Sequence, residues 1–225
     1  MKNFRFIPFA VIILTVGFFL LNIPACTHDD ALIEQIVPPD YEYGDDIVST
    51  SDGWNFDKRH SSVLWETPYT GVSALLTGRF NTFSAVVNFD EKTPENTTIE
   101  GQVVLSSVNT GEPGRDAGCL LSTFDVATLD TAYLTSTLVT LDNKGGYIVK
   151  ADLNFHGVTS EVTMKLAYAG SKYYDADSGL SGAPYTLAGL SGEFEMNALT
   201  VFGIDSHNIG DRVKIRVNAQ FKKPG

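Results

Sequence analysis

The chain is short of the residues that covalent and metal chemistry use. It has two cysteines, Cys26 and Cys119, and four histidines, His28, His60, His156 and His207, in 225 residues. No pair of histidines has the spacing of a metal site. No Gly-x-Ser-x-Gly elbow is present, and strands do not alternate with helices, so nothing points to a Ser-His-acid hydrolase. No base and nucleophile pair stands out, and no cofactor or metal motif does. The reading is a protein that is not an enzyme. Positive charge is scarce too. Sixteen lysines and arginines face 27 acids, for a net charge of -11. Such a polyanion is a poor nucleic-acid binder, and its acidity serves solubility. Finally, there is no long amphipathic helix, so an open sheet would have no second layer to cover it.

What is present begins with an address. Lys2 and Arg5 precede an apolar run, Phe6 to Leu21, broken by Pro8, Thr15 and Gly17. Such a run is a marginal membrane span. It closes on Leu21-Asn22-Ile23-Pro24-Ala25-Cys26, a small residue directly before a cysteine. This resembles the lipobox of bacterial lipoproteins, in which the cysteine is acylated and becomes the new N-terminus. An ordinary signal peptide with an incidental cysteine is the plainer alternative. The expected division is a lipoprotein signal peptide over 1–25, a flexible tether over 26–50 and a β-barrel over 51–225. Loss of 1–25 removes two positive charges and no acid, taking the net charge from -11 to -13. Acyl chains at Cys26 imply stable anchoring to a membrane. Thr27, in place of an aspartate, favours the outer membrane, on its periplasmic face or at the cell surface. Cys119 is then left alone, and no internal disulfide can form.

The rest of the chain alternates between apolar and polar residues. Phe83, Ala85, Val87 and Phe89 share a face, and so do Ile99, Gly101, Val103 and Leu105. Tyr147 to Phe155, Val162 to Tyr168, Leu190 to Ala198 and Val213 to Phe221 repeat the pattern. Period-two alternation predicts half-buried strands. Parity changes between Phe56 and Val63, and again between Phe80 and Phe83, predict bends or bulges of the kind that curl a sheet. A short helix is expected within 110–132, a turn at Asp142–Gly146, a corner at His156–Thr159 and a long polar loop over 170–188. The fold class is all-β, with about eight antiparallel strands closed into a barrel and a short helical crossover. An outer-membrane barrel would instead put Lys150, Lys165, Lys214 and Arg216 in a narrow lumen, and the aromatic girdles it needs are missing.

Several segments resemble the YceI-like, polyisoprenoid-binding family. They are His60-Ser61-Ser62-Val63-Leu64-Trp65, Gly71-Val72-Ser73, Gly78-Arg79-Phe80-Asn81-Thr82-Phe83, Thr110-Gly111, Arg115-Asp116, the run at 121–124, Leu153 to Thr159, and Phe202-Gly203. The resemblance spans Trp54 to Phe221. It implies a lipocalin-like eight-stranded barrel with a helical cap, enclosing an isoprenoid chain for binding, storage or transport at the cell envelope. Members often carry histidines where this chain has Tyr69 and Gly118, and an arginine near Ala198. The chain departs from the family at these polar positions.

The expected partners are an isoprenoid lipid, a polyprenol or a quinone, and a membrane reached through the lipid anchor, with a homodimer also compatible. The candidate ligand-binding residues are Phe83, Phe89, Val103, Leu153, Phe155, Met164 and Phe194 on the apolar face, with Arg115 and His60 outside it. Residues of this kind build a solid core as readily as a lipid tunnel. Small residues on the same face, Gly101, Ala151, Gly192 and Ala198, either leave volume or taper the barrel. Arg115 either binds a head group or pairs with Asp116, and His60 either touches a ligand or orients the strand bend. The competing function is an envelope lipoprotein with a packed barrel and a protein-binding surface on its loops.

Overall fold

The computed structural model describes residues 44–69, 74–118, 124, 126–177, 182–204 and 209–225. The lipobox, Cys26, Cys119 and the Gly71-Val72-Ser73 segment lie outside the described residues. Among the described residues, no helix is long and apolar enough to cross a membrane.

Alternating burial makes one antiparallel sheet. Its strands are β1 (Ile47–Ser49), β2 (Asn55–Phe56), β3 (Ser62–Pro68), β4 (Leu75–Phe80), β5 (Phe83–Asp90), β6 (Thr98–Val104), β7 (Val108–Asn109), β8 (Thr131–Leu141), β9 (Tyr147–Phe155), β10 (Val158–Tyr174), β11 (Tyr185–Asn197) and β12 (Arg212–Pro224). They lie in the order β1-β5-β6-β8-β9-β10-β11-β12-β3-β4-β7, with β2 beside β12. A short helix, α1 (Pro113–Gly118), falls where the crossover was expected.

The sheet curls until its ends meet. β4 and β5 lie near opposite ends of the strand order, yet only Asn81 and Thr82 separate them in the chain. The end strand β7 likewise follows β6 after a single turn, Leu105–Ser107. Hydrogen bonds carry each ladder into these links: Asn81 N donates to Ser107 O at 3.0 Å beside the β4–β7 pair, and Val104 N donates to Thr82 O at 2.9 Å beside the β5–β6 pair.

Four expectations are corrected here. The described sheet has twelve strands, not eight, because three are patches of two or three residues and β4, with Gly78 at an inward position, hides its alternation. β1 falls in the segment assigned to the tether. Val48 is fully buried, and β1 pairs with β5 through Val48 and Phe89. The loop expected at 170–188 is shortened by strand at both ends, since β10 runs to Tyr174 and β11 starts at Tyr185, with those two rings stacked at 5.1 Å. The corner at His156 is a tight two-residue hairpin, with φ of 53° at His156 and 77° at Gly157. Positive φ at both central residues matches the twist of the flanking strands.

The outer surface across β9 to β12 and β3 is laced with ion pairs. Lys150 meets Glu161, Arg212 meets Glu195, and Arg216 lies 2.9 Å from Glu193 and 3.3 Å from Glu66. The charged residues face water, so the apolar face is the interior. Partial burial would raise the pKa of Glu193, but hydrogen bonds and charge from Arg216 and Lys214 outweigh it and hold the carboxyl below its ordinary value of 4.5. The unfolded chain therefore binds this proton more tightly than the fold does. Stability from Glu193 is fully present above the ordinary value and is lost as pH falls through the folded one. Glu193→Gln is expected to shrink the drop in urea midpoint between about pH 6 and about pH 3. An unchanged pH dependence would remove Glu193 from that account.

Candidate functional site

The inward residues enclose a cavity of about 170 Å³. All the longer strands contribute. Val63 and Trp65 come from β3, Phe83 and Ala85 from β5, and Ile99, Gly101 and Val103 from β6. Leu153 and Phe155 come from β9, Met164 and Leu166 from β10, Leu190, Phe194 and Met196 from β11, and Ile215 and Val217 from β12. Among the described residues, no Asp, Glu, Lys, Arg or His lines it. The Thr67 hydroxyl has already found partners in the wall, Arg212 O at 2.9 Å and Gly210 O at 3.2 Å.

The small inward residues divide into two kinds. At Gly192 a Cβ would lie 2.6 Å from Met164 Sδ, and at Gly78 it would lie 2.5 Å from the Trp65 ring. Both positions are occupied by a neighbour's side chain. A Cβ at Gly101 would meet no atom within 4 Å. Gly101 pairs with Ala85 on one side and Leu134 on the other. This part of the wall therefore bounds empty space, and the question of taper against volume is answered residue by residue.

The two ends of the barrel differ. At the end carrying the 105–130, 156–157 and 198–211 connections, rings run in series. Phe80 and Phe124 lie at 6.3 Å, Phe124 and Phe155 at 6.0 Å, and Phe155 and Phe202 at 5.7 Å. At the other end Phe89 packs on Tyr147 at 5.2 Å and on Tyr168 at 4.7 Å. The Tyr168 hydroxyl donates to Asp46 Oδ2 at 2.8 Å, which ties the entering chain to the sheet. Burial, reinforced by the Asp46 hydrogen bond and charge, pushes the Tyr168 pKa well above its ordinary value. This tyrosine keeps its proton and serves as a fixed donor.

Six of the nine expected ligand residues, Phe83, Val103, Leu153, Phe155, Met164 and Phe194, are brought together around the cavity. The other three lie elsewhere. Phe89 is fully buried against Tyr147 and Tyr168 at the other end and does not line the void. Arg115 is exposed on α1, and its backbone N–H donates to Glu112 Oε2. The expected Arg115–Asp116 pair gives way to another arrangement, because Asp116 Oδ1 accepts from Thr110 N at 2.8 Å and Thr110 Oγ1 at 2.6 Å. His60 sits outside the barrel with its Nδ1 2.7 Å from Asp57 Oδ2. Asp57 also accepts from Arg59 N at 3.1 Å and from Gln220 Nε2 at 3.0 Å. Slight burial would raise the Asp57 pKa, but hydrogen bonds from His60 and Gln220 outweigh it and hold the carboxyl low. His60 therefore orients the bend between β2 and β3.

Phe56, Trp65, Leu190 and Ile215 also line the cavity and were not in the expected set. The parity of Val63 and Trp65, read against Val217 and Ile215, carries the signal that would have found two of them. Tyr69 bridges to Ile209 and is 40% exposed, while Ala198 is buried.

Residues 54–221 match the YceI-like domain family. The chain belongs to that family. The YceI-like match thus begins at the tryptophan after β1 and ends within β12. A UPF0312 protein of Vibrio campbellii is 31% identical over 113 residues, 50% of this chain and 59% of the relative. A UPF0312 protein of Pseudomonas fluorescens is 30% identical over 113 residues, with 50% and 58% covered. The chain thus spans less than two thirds of these relatives. Among solved structures, Burkholderia cenocepacia BcnA superposes with a TM-score of 0.62 at 19% identity, over 74% of this chain and 99% of BcnA. A polyisoprenoid binding domain from Saccharophagus degradans gives 0.51 at 15% identity, over 76% and 99%. At such identities these structures establish the shared YceI-like fold, a curled antiparallel sheet around an apolar interior.

Proposed function

We propose that the barrel holds the apolar chain of an isoprenoid lipid, a polyprenol or an isoprenoid quinone. It stores or carries this lipid at the cell envelope without altering it chemically. The observation that carries the reading is the cavity itself, walled by apolar side chains and left open at Gly101. A wall that carries no Asp, Glu, Lys, Arg or His among the described residues suits a hydrocarbon. The Saccharophagus degradans domain that shares the fold is described as polyisoprenoid binding, which supports the same ligand class.

The void, about 170 Å³, is in the range that takes up a benzene-sized guest. A longer chain enters as the Phe124, Phe155 and Phe202 series gives way at the loop end. Acylation at Cys26 would hold this carrier at the membrane that supplies its ligand. The alternative of a solid barrel acting through its loops requires a filled interior, and the gap at Gly101 weighs against it.

Native mass spectrometry of the full chain from mild detergent, followed by organic extraction, tests the proposal. Retained or added polyprenol or quinone, bound one per barrel, is the expected result. A barrel that is always empty and takes up neither lipid would sink it.

A further inference from the structure

We propose that the loop end of the barrel docks on a lipid bilayer, through a ring of exposed apolar side chains around the way into the cavity. The choice of a bilayer as the partner rests on the proposed function, a barrel that holds a membrane lipid.

The ring is drawn from four separate connections. Tyr69 and Leu75 stand where β3 gives way to β4, and Leu129 stands just before β8. Val158 follows the hairpin between β9 and β10, and Leu199 and Val201 lie in the turn after β11. All six are exposed, Leu75 at 61% and Leu199 at 48%. Backbone pairing gathers them at one end. Tyr69 bridges to Ile209, and Gly210 N donates to Pro68 O at 2.9 Å, which sets Pro68 and its partner Leu75 beside the 198–211 connection. A Cβ at Gly157 would lie 3.3 Å from Leu129 Cδ1, so Leu129 packs on the hairpin that carries Val158. Phe155, at the base of that hairpin, packs on Phe202 of the turn. Six of the 13 exposed large hydrophobic residues among the described ones thus fall in this ring. Single exposed apolar residues are ordinary, whereas a concentration of them around one opening marks a contact surface.

The turn from Ala198 to Ile204 joins the ring to the interior. It closes on itself, with Gly203 N donating to Leu199 O at 3.0 Å and Ile204 N to Ala198 O at 2.8 Å. Asp211 fastens it further, accepting from Leu199 N at 2.8 Å and Thr200 N at 2.9 Å. Ala198 and Ile204 line the cavity, Phe202 is buried against Phe155, and Leu199 and Val201 are left to solvent. These hydrogen bonds hold the turn whatever side chains stand at 199 and 201, so folding does not call for Leu and Val there. Set in acyl chains, the two residues would lose the water that they now face. A lipid could then pass from the bilayer to the cavity wall along apolar surface throughout.

Charge fits the same partner. Acids at this end are turned into their own loops. Asp130 accepts from Ser106 N and Oγ, both at 2.7 Å, and Asp116 from Thr110 Oγ1 at 2.6 Å. Asp130 and Asp211 are half-buried. Arg115, exposed on α1 in the same group of connections, has the long stem and charged head that reach lipid phosphate from an apolar surface. The opposite end carries exposed charge instead, with Lys92 2.7 Å from Asp45, and with Lys172 and Asp177 beyond them. Apolar tips on separate connections need no matching pockets to enter a bilayer, and their hold grows with the apolar area they bury.

The test uses the full chain reconstituted into phosphatidylcholine vesicles that contain a lipid with a doxyl quencher on its acyl chain. Leu199→Trp reports on the ring. Leu141→Trp is the control, because Leu141 is also 48% exposed but pairs with Tyr147 at the opposite end. Trp54 and Trp65 are buried and give the same background in both. Leu199→Trp is expected to be quenched at least about twice as strongly as Leu141→Trp. Adding Val158→Asp and Val201→Asp to the Leu199→Trp chain is expected to remove the difference. If that chain loses its β-sheet circular dichroism, each Asp substitution is made alone. Equal quenching of the two reporters overturns the docking and assigns the ring to a protein partner instead. Extra quenching that survives the Asp substitutions also overturns it. Native mass spectrometry of the same samples keeps the two readings apart. A barrel that retains lipid while Leu199→Trp goes unquenched loses the docking alone, whereas an empty barrel counts against the proposed function.

Discussion

Replacing Gly101 with phenylalanine is expected to weaken lipid binding about 100-fold while leaving the fold about as stable as before. Gly101 sits in β6 at an inward position, between Ile99 and Val103, and its φ is not in the left-handed region. A side chain there needs no backbone change, and the first carbon added meets nothing within 4 Å. The benzyl group would enter the space that a ligand requires. Burying a phenylalanine contributes about 1.5–3 kcal/mol, and a better strand former adds up to about 1 kcal/mol. Imperfect fit inside a finite void costs about 1–3 kcal/mol. These terms nearly cancel, so unfolding should move little. Binding should not escape so lightly. Displacing the chain from the open space beside Gly101 should cost about 100-fold in affinity, or about 2.7 kcal/mol. Native mass spectrometry reads the first effect and thermal unfolding the second. Gly192→Ala makes the contrast, because its new methyl would press on Met164 Sδ and should lower stability. A Gly101→Phe protein that keeps its full complement of lipid would show that the ligand lies elsewhere.

Phe89→Ala should do the reverse. Phe89 has no exposed surface and is held by Tyr147, Tyr168 and the incoming β1. Truncating a buried phenylalanine costs about 3–5 kcal/mol through lost transfer energy and the cavity left behind. For a domain of this size that is a fall of about 10 °C in Tm. Because Phe89 does not line the cavity, ligand binding measured well below the new Tm should persist. Retained stability with loss of ligand would mean that the barrel is closed at the other end.

The contrast between Phe83 and Phe89 marks how far the sequence could be read. Both residues share the parity of β5, and alternation put both on the inward face, correctly. Period two reports the face of a strand and carries no information about depth along the barrel. One ring therefore lines the void while the other plugs the floor. The same limit explains His60 and Arg115. Each lies in a family segment, yet His60 is held outside the barrel by Asp57, which Gln220 also binds, and Arg115 sits on a short exposed helix, and alternation along a strand reports neither. The 170–188 stretch was read as a loop because it is polar on both faces. There β10 and β11 continue past the core as a ribbon, held by ladder hydrogen bonds and the Tyr174–Tyr185 stack. The outward place of Leu138 was hidden for a local reason, since a register shift between Ser136 and Leu138 breaks the parity on which the reading relied. Gly101 was singled out as a small inward residue, but only its surroundings reveal that nothing fills the gap.

The position of β12 bears on when this chain can fold. β12 is last in sequence but lies inside the sheet, between β11 and β3, and it joins Ile215 to Trp65. The curl cannot close while residues 212–224 are still being made, and pairing across such a separation is slow. A nascent chain is thus kept from completing its barrel until residues 212–224 are available. Until then Trp65 on β3 and Phe194 on β11 lack the strand that joins them, so whatever meets the growing chain meets an open, apolar sheet and not a finished barrel.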